Sequence, residues 1–366
     1  MVKISPSLFQ FKSSELARAV KKISHADLIH IDVTDGTFVG QDKASLFYDP
    51  AKLKAVQANS DVPLDVHLMV EDPLTDLEKY AALSPRPEYI SFHIEATTKS
   101  GQDPKAVIKK IRSYGIKPAI AVNPATSLAE IKGLLKSLDM VLLMSVVPGL
   151  PGQSYISDVN DKIIELKGMI DEKGLETLIQ VDGGIKLENV NIPINAGADV
   201  IVSGTGIFSH KSYSPREVID KMKSVIVLGS DHGGYELKEK IRAYLDNKGI
   251  AYKDMGCYDT QSVDYPNYAD KVCKPILAGE YKRGMLFCGT GIGISIRANR
   301  YNGIRAALVH NEKTAKLAAE HNNANVLVMG GRTTSVQMAK KMFDAWYTTK
   351  FEERHQRRLD MLDKKC

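Results

Sequence analysis

Two histidines and two aspartates carry the first sign of chemistry. His30 and Asp32 stand two residues apart in LIHIDV, His67 lies in LDVHLM, and Asp182 closes LIQVD. Residues two apart on a strand point to the same side, so His30 and Asp32 face one space, and His67 and Asp182 end strands of the same kind. Imidazole and carboxylate donors together suit a divalent metal such as zinc, iron(II) or manganese. Two carboxylates on opposite sides of a substrate allow one to take a proton from carbon and the other to return one on the opposite face. An epimerisation requires that pair, and a metal holding a ketone and its neighbouring hydroxyl would stabilise the enediolate between the two transfers.

A second centre lies downstream. Cys288 ends the apolar run MLFC and is followed by Gly289, Thr290, Gly291 and Gly293 in GTGIG. A thiol at the start of a helix is favoured as thiolate, and the adjacent N–H groups can hold an oxyanion. Asp231 and His232 in GSDHGG, with His310, His321 and the basic tail, point to a polyanionic sugar phosphate as ligand. A dinucleotide fingerprint is the competing reading of GTGIG, but its third glycine is misplaced and no acidic residue ends the next strand.

Eight apolar or β-branched runs can position the first set: Lys3–Ser7, Leu28–Val33, Leu64–Met69, Tyr89–His93, Pro118–Val122, Val141–Val146, Leu178–Asp182 and Val200–Ser203. Amphipathic stretches such as 104–114 and 159–174 separate them, which predicts a closed parallel (β/α)8 TIM barrel with its site at the carboxyl ends of the strands. Three glycine-rich turns follow strands six to eight: PGLPGQ with Gly149, Gly152 and Gln153, DGG with Gly183 and Gly184, and SGTG with Gly204 and Thr205. Their backbone N–H groups suit a phosphate. At Val225 the pattern restarts, with strands 225–230, 251–254, 284–288, 305–309 and 325–329 and helices 234–247, 292–299, 312–321 and 336–348 between or after them. That predicts an open, doubly wound, Rossmann-like α/β domain with ligands beyond the carboxyl ends of its strands. The boundary is placed at 1–222 and 223–366.

The 366 residues suffice for two cores, and 49 Lys plus Arg against 44 Asp plus Glu leave a net charge of only +5 without a basic block before the extreme C-terminus. Neither a nucleic-acid arm nor a disordered chain is indicated. No apolar run reaches membrane-spanning length, and MVKISPSLFQ, with Pro6, lacks a secretory apolar core. Cys257, Cys273, Cys288 and Cys366 show no paired metal spacing, which predicts free thiols in the cytoplasm.

The motifs KISPSL, HIDVTDG, DVHLMV, VLLMSVVPGLPGQ, VDGGI and SGTGIF resemble ribulose-phosphate 3-epimerase, in order, across residues 1 to about 222. The resemblance implies His30, Asp32, His67 and Asp182 as metal ligands, the Asp pair as acid and base, Ser7 on the substrate, and Met69 and Met144 over the reacting carbons. It departs at DVTDGTFVGQ, where the family has DVMDGHFVPN, and at PGLPGQ, where it has PGFGGQ and Pro151 removes an N–H donor. From 225 to about 362, GSDHGGYELK, DYPNYA, CGTGIGISI, EHNNANVL, GGR and RHQRR resemble type B ribose-5-phosphate isomerase. That implies Cys288 as the base between carbons 2 and 1, the GTG backbone with Thr290 at the enediolate, and Asp231, His232 and Asn322 on the sugar. It also implies either His321 or His310 at ring opening, and Arg354 and Arg358 on the phosphate. The family's GGRH is EERH here, which sets Glu352 and Glu353 beside that phosphate site.

Together these imply a bifunctional sugar-phosphate enzyme of the non-oxidative pentose phosphate pathway, with a divalent metal in the first domain and no cofactor in the second. The altered loop keeps open a rival pair acting on allose and allulose 6-phosphate; a sensor with lost catalysis is the third reading. The charged tail, 351–365, has few apolar residues to hold it on its own sheet. The expected partners are therefore sugar phosphates and a second copy in a homodimer or higher homo-oligomer, with no nucleic acid and no membrane.

Overall fold

A computed structural model describes residues 2–40, 47–83, 86–149 and 152–362. It divides into two compact units, 2–223 and 224 onward.

In the first unit, strands β1 (Lys3–Pro6), β2 (Ile29–Thr34), β3 (Leu64–Met69), β4 (Tyr89–His93), β5 (Lys117–Val122), β6 (Met140–Met144), β7 (Leu178–Asp182) and β8 (Val200–Ser203) form one all-parallel sheet. Their order runs from β1 through β8 down to β2. A parallel bridge between Ser7 and His30 closes the seam, so the sheet is a TIM barrel. Nearly every strand residue is buried, as expected of strands with helices outside and side chains inside. Helices Pro73–Ala81 and Pro104–Ser113 each begin with proline behind a capping aspartate: Asp72 accepts from the Thr75 N–H and Asp103 from that of Lys105. Both residue types favour that first turn.

Alternation along the strands sends every second residue inward. Leu28, Tyr89, Ala119, Met140 and Val200 meet as an apolar plug at the amino end of the barrel. Further along, the inward residues of β2, β3, β4 and β7 include the buried polar His30, Asp32, Asp65, His67, His93 and Gln180, while β5 and β6 keep an apolar wall of Ala121, Leu142 and Met144. The polar residues therefore collect toward the carboxyl end, above an apolar floor.

The second unit holds β9 (Ile226–Ser230), β10 (Tyr252–Asp254), β11 (Arg283–Cys288), β12 (Ala306–Leu308) and β13 (Val326–Gly330), all parallel, in the order β10-β9-β11-β13-β12. One face packs Leu237, Ile241, Leu245, Phe343 and Trp346, and the other Ala269, Val272, Cys273 and Ile294. This is the doubly wound sheet the sequence predicts, with one addition: helix Tyr265–Leu277. Pro266 in its first turn and Pro275 near its end punctuate that segment and hide its period from a sequence reading. Among the described residues no helix is long and apolar enough to cross a membrane.

Candidate active sites

The barrel brings His30, Asp32, His67 and Asp182 into one group whose donor atoms lie within 4.8 Å of one another. His30 Nδ1 donates to Asp65 Oδ2 at 2.7 Å. Its other nitrogen, Nε2, lies 3.3 Å from Asp32 and 3.8 Å from Asp182, is buried, and finds no hydrogen-bond partner. A buried ring nitrogen without a partner is costly. Aimed between two carboxylates, it fits the coordination of a divalent cation, as does the mixed imidazole and carboxylate donor set.

The two carboxylates feel different fields. Burial alone would raise Asp32, but His30 and His67 hold it well below the usual carboxylate range. Asp182 is raised to about 7 by burial, with Asp32 and Asp65 adding repulsion against the pull of His30. One carboxylate is thus kept ionised and the other is raised into the neutral range, where it can both give and take a proton, a separation that suits acid and base chemistry on a single substrate. Ser7 Oγ donates to Asp32 Oδ2 at 2.7 Å and fixes that side chain.

These groups open into a cavity lined by Ser7, Asp32, Met69, Met144 and Asp182. The same cavity is lined by Gly149, Gly152 and Gln153 after β6, Gly183 and Gly184 after β7, and Gly204 and Thr205 after β8. A side chain at Gly184 would meet the Tyr155 nitrogen at 2.4 Å, and φ there is +66°, so the two loops close on each other only through glycine. Pro151 and Leu150 lie outside the described residues. So does Gln41 in the altered loop, whose Thr34 is buried and whose Phe38 packs on His93 at 4.8 Å.

In the second unit Cys288 ends β11, 4% exposed, and its Sγ accepts from the Gly291 N–H at 3.1 Å. Gly291, at φ +79°, caps helix Ile292–Ala298. Register places Phe287 opposite Ser230 and Cys288 opposite Gly330. Asp231 and His232, directly after β9, therefore share the carboxyl edge of the sheet with Cys288, Gly289 and Thr290. His232 Nδ1 accepts from the Val263 N–H at 3.2 Å, which ties the ring to the loop before helix Tyr265–Leu277. His310 follows β12 by two residues and lies at the same edge, exposed.

His321 does not. It caps the end of helix Glu312–Glu320, before β13 begins, so the length of β13, about 13 Å at 3.3 Å per residue, separates its edge from that of Cys288. Asn322 is on that far edge too, in a hollow that includes Arg305 and Leu362. The tail is anchored there: Glu352 N–H donates to Glu320 O at 2.9 Å, and the His355 ring packs on His321 at 4.3 Å. Arg354 Nε donates to Glu352, and Arg358 donates to His355 Nδ1 at 2.9 Å. The tail is not wholly detached from its own unit, as its composition suggests, because His355 and Leu359 are buried. Residues 363–366, with Cys366, lie outside the described residues.

Several residues escape the sequence reading. Asp65 alternates with His67 on β3, and His93 and Glu95 sit in SFHIEA, where alternation alone could have flagged both. Arg332, beside Gly289, belongs to GGR after β13. Cys257, Cys273 and Cys288 are free and buried.

A model described as the ribulose-phosphate 3 epimerase family matches residues 3–208, and one described as ribose/galactose isomerase matches residues 226–362. The ribulose-phosphate 3-epimerase of Helicobacter pylori J99 is 40% identical over 210 residues, 57% of this chain and 92% of that protein. The Escherichia coli K12 protein of the same name is 35% identical over 224 residues, 60% of this chain and 94% of that protein. A ribose 5-phosphate isomerase structure from Thermotoga maritima is 49% identical, covering 38% of this chain and 97% of that one, with a TM-score of 0.38.

Proposed function

From a chain that belongs to the ribulose-phosphate 3-epimerase family over residues 3–208 and to the ribose/galactose isomerase family over residues 226–362, we propose that one polypeptide performs two consecutive steps on a pentose phosphate. The second unit interconverts ribose 5-phosphate and ribulose 5-phosphate, and the barrel converts ribulose 5-phosphate to xylulose 5-phosphate. The observation that carries this reading is the barrel cavity, where two carboxylates with opposed proton preferences meet beside three glycine-lined turns.

His30, Asp32, His67 and Asp182 would hold a divalent metal, which when bound supplies electrophilic stabilisation of negative charge on the substrate oxygens. Asp32, ionised and held by Ser7, takes the proton from carbon 3. Asp182, whose proton affinity is raised into the neutral range, returns one from the opposite face, and the roles exchange in the reverse direction. Met69 and Met144 wall the reacting carbons and exclude water. Backbone N–H groups of the turns at Gly149–Gln153, Gly183–Gly184 and Gly204–Thr205 take the phosphate.

In the second unit Cys288 as thiolate moves the proton between carbons 2 and 1, while the Gly289–Gly291 backbone and Thr290 bear the developing charge. Asp231 and His232 bind the sugar. His321, Asn322, Arg354 and Arg358 stand at the far edge of their own sheet, so they serve the Cys288 of a second copy: His321 at ring opening, the arginines at the phosphate. His310 remains the ring-opening candidate from the same chain. No metal is needed there, and free buried thiols agree with a cytoplasmic setting.

The test is a coupled assay of the purified chain with ribose 5-phosphate and with allose 6-phosphate. The larger specificity constant is expected for ribose 5-phosphate. A preference for the hexose would move both steps to the longer sugar, and turnover of neither would reduce the protein to a binder.

A further inference from the structure

We propose that Glu95, acting through His93, is a positioning pair that decides which nitrogen of His67 presents a lone pair to the cation site. This rests on the reading of His30, Asp32, His67 and Asp182 as ligands and adds residues outside that set. His67 Nε2 lies 2.9 Å from His93 Nε2, and His93 Nδ1 lies 3.1 Å from Glu95 Oε2. The other Glu95 oxygen accepts from the Asn123 N–H at 2.9 Å, which fixes the carboxylate. Both imidazole side chains are fully buried, and Phe38 covers His93.

Direction follows from the inventory of donors. Glu95 is held ionised, to about 2, by hydrogen bonds from His93 and Asn123 that outweigh its burial, so it can only accept. It therefore faces a protonated His93 Nδ1. The two Nε2 atoms face each other at 2.9 Å and hold a single proton between them, and a neutral imidazole carries one N–H and one lone pair. His93 then offers its Nε2 lone pair, His67 must donate from Nε2, and the lone pair of His67 falls on Nδ1, the atom 3.3 Å from Asp32.

A count of protons supports the same conclusion. The chain Asp32, His67, His93, Glu95 has three contacts, and two neutral rings supply only two protons. The contact left without one is the longest, His67 with Asp32, which is where a cation takes the lone pair. Asp65 does the equivalent for His30 directly, holding Nδ1–H and turning Nε2 toward the site. Two ligands are thus set from opposite ring nitrogens, one by a carboxylate in contact and one by a carboxylate a ring away. Groups that orient ligands in this way are worth roughly 10 to 100-fold in metal affinity.

The experiment measures Co(II) affinity of the metal-stripped full chain by competition with a chromophoric chelator, together with the visible spectrum of the bound ion. In Glu95→Gln the amide keeps its oxygen on the Asn123 N–H and turns its NH2 toward His93, which reverses both rings and protonates His67 Nδ1. Affinity is expected to fall about 10 to 100-fold with a changed spectrum. His93→Gln, which still accepts from His67 and donates to Glu95, should retain affinity within about threefold of the parent. His93→Leu, which cannot accept, should fall like Glu95→Gln, and it serves in its place if Glu95→Gln does not fold. Equal losses in His93→Gln and His93→Leu, or no loss in Glu95→Gln, would overturn the relay. A parent chain that binds no Co(II), or binds it undiminished with His67→Ala, would instead overturn the ligand assignment on which the relay stands.

Discussion

Asp32 and Asp182 are the same residue type in one cavity, and their surroundings separate them. His30 and His67 hold the first ionised, while burial and neighbouring negative charge raise the second into the neutral range. The isomerisation proposed for the second unit draws on Cys288 with backbone donors, although His321, Glu352 and His355 also bring donor atoms within 4.8 Å of one another there. A strong chelator is therefore expected to abolish epimerisation and leave isomerisation within about twofold, read from separate assays of xylulose 5-phosphate and ribulose 5-phosphate formation; parallel loss of both rates would contradict this division. The residues proposed to touch substrate or cation could be picked out in the sequence because chemistry restricts their type and alternation restricts their side. Asp65, His93 and Glu95 were not, because alternation can mark a side but not whether a buried histidine or carboxylate meets a ligand or a core amide. Only the closed barrel, which brings Gln180 of β7 onto Asp65 of β3, reveals what each one meets.

At the scale of elements, glycines mark where strands hand over to sites. Gly291 combines φ +79° with a would-be Cβ 2.4 Å from the Leu308 Cδ1, and its N–H points at Cys288. Gly291→Ala is expected to destabilise the second unit by about 1–3 kcal/mol and to cut isomerase turnover at least tenfold, with epimerisation unchanged. Gly168, exposed within helix Val159–Glu172, has open space where a Cβ would go. Gly168→Ala should accordingly stabilise the barrel by about 0.5–1 kcal/mol in thermal unfolding. If the two substitutions behaved alike, backbone conformation would not be the deciding factor. Thirteen strands were legible from apolar runs bounded by turn residues. Helix Tyr265–Leu277 was not, since two prolines read as breaks although the first occupies a position that needs no N–H and the second lies near the helix end.

For the whole molecule, the second sheet divides its own machinery. Cys288, Asp231 and His232 occupy the carboxyl edge, and His321 with the tail arginines occupies the other. A pair of chains related by a twofold axis would bring one edge of each to the other. Mixing a Cys288→Ala chain with an Arg354→Ala/Arg358→Ala chain is then expected to restore isomerase activity, up to about a quarter of the parent rate under random pairing, with one intact site in each mixed dimer. No recovery after verified subunit exchange would assign the tail to its own chain.

The central claim is that one chain carries two independent sites joined by a shared product, and it is tested most directly by following ribose 5-phosphate through two single substitutions. With Asp182→Asn, ribulose 5-phosphate should accumulate at near the parental rate while xylulose 5-phosphate formation falls by about 10²–10⁴-fold. With Cys288→Ala, ribose 5-phosphate should remain, yet added ribulose 5-phosphate should still become xylulose 5-phosphate. A folded variant in which either substitution silences both conversions would contradict the account.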